Sequence, residues 1–511
     1  MIASSDHRVR RCNVRPVKAG ADYVLYWMIA ARRSEFNYAL DRAIELSQEF
    51  RKPLVVFEPL RVDYAWASDR FHRFVLQGMA DNAARFKVKG FLYYPYVEPA
   101  KGAGKGLLEA LADRACAVVT DDFPAFFLPQ MVDAAALRLQ VSLEAVDSNG
   151  LLPLRAAPRA FPVARSFRSF LRKALWQHVP AMPSADPLKD AGLVSAAAVA
   201  KGSVRAIEEK WPPASPSLLK GSTEALAALP LDHSVGPGPI QGGSKAARAA
   251  LAAFLDERLD RYLEDRNHPD RDGGSGLSPY LHFGHISPHE ILVQAALRER
   301  RSEARLFADM KKLADKNKNE NKNKKTEKRL FGLGEAAEAF LDQLVTWREI
   351  GFNTCSLRSD YDRYASLPDW SRRTLAAHAK DPRPNLYSLA ELEAGRTGDP
   401  IWNASQMELV REGRIHNYMR MLWGKRILEW SRTPEDALHT MIHLNNKYAL
   451  DGRDPNSYSG IFWVLGRYDR AWGPERPIFG TVRYMTSASA ARKLRLREYV
   501  KRYSPDPKER I

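Results

Sequence analysis

A change of hydrophobic periodicity near residue 245 constrains this chain more than any other feature. From Tyr23 to about Val146, short apolar runs such as YVLYWMIA, PLVVFEPL and ACAVVTDD alternate with amphipathic stretches such as EFNYALDRAIELSQEF and GLLEALADR. Strands buried on both faces of a parallel sheet are continuous apolar runs, and the crossovers between them are helices. The pattern therefore predicts an N-terminal α/β domain, with a doubly wound, Rossmann-like parallel sheet, over residues 20–165.

Beyond Ser244 the apolar residues follow helical periodicity. Examples are AARAALAAFLDERLDRYLEDR, SPHEILVQAALRERR, AAEAFLDQLVTWREIG, HNYMRMLWGKRILEWS and PEDALHTMIHLNNKYAL. An all-α domain is predicted over residues 245–495. From about Ala181 to Ser244 the sequence is rich in Pro, Ser, Gly and Ala, which predicts a long surface connection. Residues 166–178, RSFRSFLRKALWQ, predict a short basic helix that belongs to neither domain by sequence alone, so the interdomain linker is placed at residues 166–244.

A low-complexity run, DKNKNENKNKKTEK, occupies residues 315–328 within the helical half. Its Lys and Asn side chains cannot bury apolar surface, so a disordered surface insertion is predicted. A contact with DNA phosphates is the alternative, and a solvated spacer is the simpler interpretation.

The composition narrows the class of protein. The chain has 511 residues, more than one ordinary core needs, and a formal net charge of +17 with a pI near 9.6. Such a balance favours nucleic acid over acidic small molecules as a partner, although a basic but merely soluble protein stays open. The three cysteines, Cys12, Cys116 and Cys355, lack metal-site or disulfide spacing, so no metal is expected. Without an apolar signal segment or membrane span, we expect a cytoplasmic protein that binds no membrane.

Two polar segments suggest ligand sites. Ser275 and Ser278 lie in the glycine-rich turn GGSGLSPYLHFG, where backbone N–H groups and hydroxyls could bind a pyrophosphate, but an ordinary helix cap has the same sequence. Asp121 and Asp122 follow the strand AVVT, where parallel sheets commonly face a ligand, but a solvated turn fits equally well.

Long segments of the second half resemble the flavin-binding half of the class II cyclobutane pyrimidine dimer photolyases, in the photolyase/cryptochrome family. They are WNASQMELVREGRIHNYMRMLWGKRILEW, LNNKYALDGRDPNSYSGIFWVLGRYDRAWGPERPIFGTVRYM, GSGLSPYLHFG and TWREIGFN, and they run through most of residues 245–490. YVLYWM and KPLVV extend the likeness more loosely to the α/β half. The resemblance implies an all-α FAD-binding domain and a carbon–carbon lyase in which excited, reduced FAD passes an electron to a cyclobutane dimer in DNA.

The resemblance also implies which residues hold FAD. The matching positions are Tyr262, Ser275, Leu277, Ser278, Arg348, Asn417, Arg420, Asp451, Gly452, Arg453 and Asp454. Asn445 matches the residue that faces flavin N5. A cation at Arg420, paired with Asp451, would favour a negatively charged reduced flavin, whereas the plain alternative is an Arg–Asp pair that only ties two helices together.

Tryptophans have two implied roles. Trp423 and Trp430 are seven residues apart, a spacing that by itself indicates core packing, but the resemblance makes Trp423 and Trp402 the proximal and distal steps of an electron-transfer chain, with Trp430 nearby. Trp347 and Trp463 match residues that line the lesion cavity.

Two further positions bear on the lesion. Met421 matches a thioether that touches the dimer. Gln343 stands where the family has a glutamate that hydrogen-bonds the dimer; a glutamine keeps hydrogen bonding but gives up charge and any role as a protonated acid.

The implied partner is damaged DNA with a flipped-out pyrimidine dimer, contacted by the basic segments RYDRAWGPERP and VRYMTSASAARKLRLREYVKRY. A second antenna chromophore, deazaflavin or folate, stays open, and a monomer without an obligate protein partner is expected. Three alternatives remain: a cryptochrome-like blue-light photoreceptor, a photolyase for a different pyrimidine lesion, and a DNA-binding protein with a vestigial flavin site. The short segment after VRYM counts against a cryptochrome's signalling tail.

Overall fold

A computed structural model describes residues 5–88, 90–319 and 329–506. They divide into two compact units. The first comprises the described parts of Met1–Pro158, Leu175–Leu251 and Leu277–Glu303, and the second those of Arg159–Ala174, Ala252–Gly276 and Ala304–Ile511.

The first unit is built on one sheet. Its strands are β1 (Val9–Arg11), β2 (Tyr23–Trp27), β3 (Leu54–Leu60), β4 (Phe91–Val97), β5 (Ala115–Asp121) and β6 (Leu143–Val146). Their order is β1-β6-β5-β2-β3-β4, with parallel pairing except for β1, which lies antiparallel to β6. The doubly wound parallel sheet predicted from the apolar runs is confirmed.

Helices account for most of the remaining regular structure. In chain order they are α1 (Ser5–Arg8), α2 (Tyr38–Phe50), α3 (Asp69–Arg85), α4 (Leu107–Asp113), α5 (Leu128–Arg138), α6 (Ala164–Ala174), α7 (Ala197–Lys201), α8 (Ser203–Lys210), α9 (Pro216–Leu219), α10 (Thr223–Ala227), α11 (Ser244–Ala253), α12 (Tyr262–Asp265), α13 (Ser278–His282), α14 (Pro288–Arg298), α15 (Glu303–Asn319), α16 (Glu335–Asp342), α17 (Arg348–Leu357), α18 (Asp369–Ala377), α19 (Leu389–Glu393), α20 (Pro400–Glu412), α21 (Asn417–Trp430), α22 (Pro434–Tyr448), α23 (Pro455–Val464), α24 (Ser487–Lys493) and α25 (Arg497–Tyr503). Two π-helical segments, Phe254–Arg258 and Gln343–Trp347, interrupt the second unit. None of the described helices combines the length and the apolar character needed to cross a bilayer.

Apolar side chains cover both faces of the sheet. All five residues of β2 are buried, and they alternate between two cores: Tyr23, Leu25 and Trp27 belong to one, Val24 and Tyr26 to the other. Side chains of a strand alternate between the two faces, so each face needs its own cover. This explains why the strands are continuous apolar runs in the sequence.

Asp121, at the end of β5, is neither a ligand-facing residue nor part of a solvated turn. Its carboxylate is buried and accepts hydrogen bonds from the backbone N–H groups of Ile29, Ala30 and Ala31 at 2.7–3.0 Å, and from the Tyr26 hydroxyl at 2.8 Å. The carboxylate therefore fixes the loop that follows β2. Asp122 turns instead toward Arg155, at 2.5 Å.

The predicted linker, residues 166–244, differs in the structure. Its start lies in α6 of the second unit, and the part from residue 175 belongs to the first unit, where it includes α7–α10. Val204 of α8 packs in one core of the sheet, and Leu219 and Leu226 pack in a further apolar cluster. Short apolar groups within a Pro- and Ala-rich sequence are enough to bind this segment to the unit.

The predicted insertion, residues 315–328, differs in its first part. Helix α15 continues to Asn319, and the buried Leu306 and Met310 hold its earlier turns. Residues 320–328 lie outside the described residues.

We predict that Asp121→Ala will destabilise the protein by about 3 kcal/mol or more, because it leaves several buried donors without an acceptor. Asp121→Asn, which keeps one acceptor oxygen, should cost about 1–2 kcal/mol. Denaturant titration followed by circular dichroism measures both losses.

The matched control is Asp133→Ala, since the Asp133 side chain is 68% exposed. It should change the free energy of unfolding by less than about 0.5 kcal/mol. Equal stability of Asp121→Ala and this control would contradict the anchoring role of Asp121.

Candidate flavin and lesion site

Two adjacent amides join α22 to α23 inside the second unit. Asn445 and Asn446 are 1% and 0% exposed. The Nδ2 of Asn445 donates to Ser457 Oγ at 2.6 Å, and the Nδ2 of Asn446 donates to the Tyr458 hydroxyl at 3.3 Å. The Oδ1 of Asn446 accepts from the backbone N–H of Arg453 at 2.9 Å. Buried amides need such partners, so these bonds set the alignment of the two helices.

The turn between these helices, residues 451–454, has a constrained backbone and a side-chain hydrogen bond back to α22. Arg453 has a left-handed φ of 66°, and its Nη1 donates to the Asn446 carbonyl at 2.9 Å. A Cβ at Gly452 would lie 2.8 Å from the Asn445 carbonyl oxygen, so only glycine fits without a shift. Asp454 caps α23 by accepting from the Asn456 N–H at 2.8 Å.

A partly buried ion pair connects this turn to α21. The Nη2 of Arg420 donates to both carboxylate oxygens of Asp451, at 2.9 and 3.1 Å, and the two side chains are 16% and 11% exposed. A cation with so little water around it attracts an anionic group more strongly than a surface arginine does. Asn417, at the start of the same helix, is exposed.

Three of the predicted residues lie where a π-helical segment meets the start of α17. Gln343 and Trp347, both partly exposed, begin and end a π-helical segment, a form frequent at functional sites. Arg348 follows; it is buried, and its guanidinium carbon lies 4.3 Å from the centre of the Phe352 ring. Asp342 secures the segment by accepting from Thr346 Oγ1 at 2.7 Å and from Arg168 of α6 at 2.7–2.8 Å.

Three buried tryptophans lie in contact. The Nε1 of Trp423 donates to Gln406 Oε1 at 2.9 Å, and the Nε1 of Trp402 donates to the Trp423 carbonyl at 3.0 Å. The rings of Trp402 and Trp430 meet edge to face, with centres 5.3 Å apart. Trp402 therefore contacts both tryptophans of α21, a relation that the spacing of Trp423 and Trp430 could not reveal.

Trp463 of α23 is partly exposed and has two cations against it. The Nζ of Lys425 lies 5.1 Å from the ring centre and the guanidinium carbon of Arg483 lies 5.5 Å from it. Met421, also partly exposed, precedes Lys425 by one turn of α21.

The glycine-rich turn has unfilled space beside it. A Cβ added at Gly274 or Gly276, on either side of Ser275, would meet no atom within 4 Å. Tyr262 packs its ring against Phe254 and Phe340 and is buried.

The remaining two predicted cofactor residues, Leu277 and Ser278, belong to the first unit; Leu277 is buried and Ser278 is exposed.

A buried carboxyl group lies in α20, the helix that precedes α21. Glu408 of α20 accepts from the Tyr499 hydroxyl at 2.7 Å and from the backbone N–H of His416 at 2.9 Å, and burial raises the pKa of Glu408 to about 7. Through Tyr499 and His416, Glu408 connects helix α25 to the start of α21.

Sequence reasoning missed Asn446, Gln406 and Lys425. The doubled amide in LNNKYAL was a usable signal for Asn446, because adjacent amides in an apolar helix need partners. Gln406 and Lys425 offer no local signal, since their partners are 17 and 39 residues away along the chain.

The second unit thus collects groups suited to a large polar cofactor. Asn445, Arg420 and residues 451–454 form a buried or partly buried polar layer between apolar helices, and the turn around Ser275 leaves open space beside its glycines. An amide, a guanidinium and a capped helix start fit the polar edge and phosphates of a flavin dinucleotide.

No protein-family model matches the chain. The deoxyribodipyrimidine photo-lyase of Methanothermobacter thermautotrophicus is 34% identical to it over 496 residues, 97% of either chain. That of Arabidopsis thaliana is 31% identical over 493 residues, 95% of this chain and 90% of its own. The crystal structure of an archaeal photolyase from Sulfolobus tokodaii with two FAD molecules has the same fold, with a TM-score of 0.60 at 14% identity, over 94% of this chain and 89% of its own. Because the similarity to the Methanothermobacter protein runs along nearly the full length of both sequences, this chain belongs to the deoxyribodipyrimidine photolyase family.

Proposed function

We propose that this chain is a class II photolyase that splits cyclobutane pyrimidine dimers in DNA in response to light, with FAD as its cofactor. The observation that carries the proposal is the buried polar layer of Asn445, Asn446, Arg420 and Asp451 in a chain of this family. When bound, reduced FAD supplies the absorption of light and the electron.

Asn445 and Arg420 set the electrostatics of the flavin position in this proposal. Because the Nδ2 of Asn445 is directed at Ser457, the amide presents Oδ1 as an acceptor for a protonated flavin nitrogen. Arg420 supplies the positive charge that favours a reduced, anionic flavin, and Asp451 holds the guanidinium in place.

Other predicted cofactor residues act through position. Gly452 and Arg453 keep the backbone of the turn close to α22, and Asp454 fixes the start of α23. The proposed FAD-binding residues also include Tyr262, Ser275, Leu277, Ser278, Arg348 and Asn417.

We assign the lesion to the side chains of Trp347, Trp463, Met421 and Gln343. Trp347 and Trp463 offer partly exposed rings, which can stack against bases outside the duplex. Flipping costs a few kcal/mol and costs less for a poorly stacked dimer, so such a wall also selects for damage.

Trp423, Trp402 and Trp430 are proposed to pass electrons that restore the reduced cofactor. Their direct contacts support a path through the helical unit. The indole N–H groups of Trp423 and Trp402 donate to neutral oxygens, those of the Gln406 amide and the Trp423 carbonyl.

Damaged DNA is the proposed partner, consistent with the net charge of +17. The guanidinium carbons of Arg470 and Arg483 lie 4.5 and 4.0 Å from the Trp472 ring centre, within the basic segments expected to contact DNA. An arginine held on an aromatic ring, such as Arg470, presents a fixed charge to phosphates, whereas Arg483 also pairs with Asp469.

The proposal includes a second, light-harvesting chromophore, either a deazaflavin or a folate. We assign no residue to its binding. We propose a cytoplasmic monomer; the three free cysteines fit a reducing compartment.

Illumination of purified, reduced protein with an oligonucleotide that contains a cyclobutane dimer tests the proposed function. We expect lesions to disappear in light and to persist in a dark control. Persistent lesions despite bound FAD would favour a photoreceptor, and colourless purified protein would favour a DNA-binding protein with a vestigial site.

We predict that Gln343→Glu will change the single-turnover repair rate by about tenfold, because a glutamate adds charge and a possible donor beside the dimer, whereas FAD content stays the same. The control is Gln140→Glu at an exposed position of the first unit. Equal repair rates in Gln343→Glu and the unaltered protein would remove Gln343 from the lesion site.

We predict that Trp402→Phe will slow photoreduction of oxidised protein but leave repair by chemically reduced protein unchanged. Loss of the Nε1 donor and of ring volume at this fully buried position should cost about 1–3 kcal/mol of stability. Trp211→Phe in the first unit is the control. Unslowed photoreduction in Trp402→Phe would contradict the electron path.

A further inference from the structure

Lys425 is the only lysine among the described residues that is buried, with 0% of its surface exposed. It lies in the middle of α21, next to Gly424. Removing an ammonium group from water is costly, so the burial calls for a physical reason.

The contacts of Lys425 are directed at the end of α23. Its Nζ donates to the Val464 carbonyl at 2.5 Å, and the same atom lies 5.1 Å from the centre of the Trp463 ring. Lys425 makes no ion pair with any described residue. Asp469, which raises the pKa of Lys425, pairs with Arg483 at 2.9 Å instead.

Burial is the main influence on the charge of Lys425. Burial lowers its pKa to about 7, Asp469 raises that pKa, and Arg483 lowers it further. Helices α20, α22 and α23 pack against α21 and place no carboxylate within ion-pair distance of Nζ in the described part of the chain. The charge on Lys425 is therefore held mainly by a carbonyl and an aromatic ring.

A helix cap alone does not account for this arrangement. A carbonyl at the last turn of α23 can accept from water or from a surface lysine without burying a charge. What burial adds is a second cation against Trp463, in addition to Arg483, whose guanidinium carbon is 5.5 Å from the ring centre. Both cations are attracted to the ring and restrict its orientation.

We propose that Lys425 is a positioning residue for lesion recognition: its ammonium group holds the Trp463 indole in the orientation that stacks on a flipped-out pyrimidine dimer. The inference rests on the proposed function, because it takes Trp463 as part of the lesion wall. Lys425 touches neither cofactor nor lesion in this proposal, and no bond is made or broken at it.

Binding in the dark tests the inference without any repair step. The probe is a duplex with one cyclobutane thymine dimer, compared with the same duplex intact, and the protein carries its flavin. We expect Lys425→Met, similar in length but uncharged, to bind the damaged duplex about five- to tenfold more weakly, as the loss of a buried cation–ring contact implies. Affinity for the intact duplex should not change.

Two further variants serve as controls for Lys425→Met. Lys425→Arg keeps the charge and should restore most of the preference for damage. Lys210→Met removes the exposed lysine whose Nζ lies 4.3 Å from the Trp211 ring in the first unit, and should leave both affinities unchanged. It is a matched control for the loss of one Lys–Trp contact.

The pH profile supplies a readout that packing alone would not move. Because Lys425 loses its charge as the pH rises through about 7, the preference of the unaltered protein for damaged DNA should fall across that range. In Lys425→Met that step should be absent. A flat profile in the unaltered protein would overturn the inference even if the variant failed to fold.

Stability should show the opposite trend. Between pH 7 and the ordinary lysine value of 10.5, the unfolded chain keeps the Lys425 proton and the folded chain does not, so stability rises with pH in that window. Lys425→Met should remove this rise in thermal unfolding.

Trp463→Ala separates the inference from the function on which it rests. If Trp463→Ala weakens binding to the damaged duplex and Lys425→Met does not, the positioning role is wrong and the lesion wall stands. If neither variant changes that affinity, the assignment of Trp463 to the lesion fails, and the inference fails with it.

Discussion

The hydrogen bonds from Asn445 and Asn446 to α23 are the constraint on which the second unit depends. Each amide is buried, and leaving a buried amide without partners costs about 1–3 kcal/mol. The two helices can satisfy both amides only in one alignment, with Ser457 and Tyr458 opposite them. That alignment fixes the conformation of residues 451–454. This conformation places Asp451 against Arg420.

Glycine and left-handed backbone at this turn follow from the same constraint. The carbonyl of Asn445 lies too close to residue 452 for any side chain, and Arg453 adopts a φ of 66° to bring its guanidinium back to the Asn446 carbonyl. A residue in that conformation is strained, and it persists where the surrounding bonds over-determine it. The proposed flavin position therefore belongs to a rigid part of the helical unit.

Local patterns were sufficient for the sheet but not for the site. The apolar runs around Tyr23 and Leu54 predicted buried strands, because a strand buried on both faces needs apolar residues at nearly every position. The segment around Leu219 belongs to the first unit and is not a linker, because a few apolar groups attach it although Pro and Ser dominate its composition. Family resemblance supplied the candidate residues Arg420 and Asn445, whereas their contacts arise from parts of the chain that no local spacing connects.

The charges around the tryptophans divide them into two kinds. Trp423 and Trp402 donate to the Gln406 amide oxygen and to a backbone carbonyl, both of which are neutral. Arg426 lies 4.6 Å from Trp430, but Asp399 and Glu429 pair with that guanidinium and offset its field.

Trp463 differs, because Lys425 lies against its ring and makes no ion pair with a described residue, whereas the second cation at that ring, Arg483, pairs with Asp469. A positive charge close to a ring opposes removal of an electron from it. In the proposed electron path, this difference favours oxidation of the buried tryptophans over oxidation of Trp463.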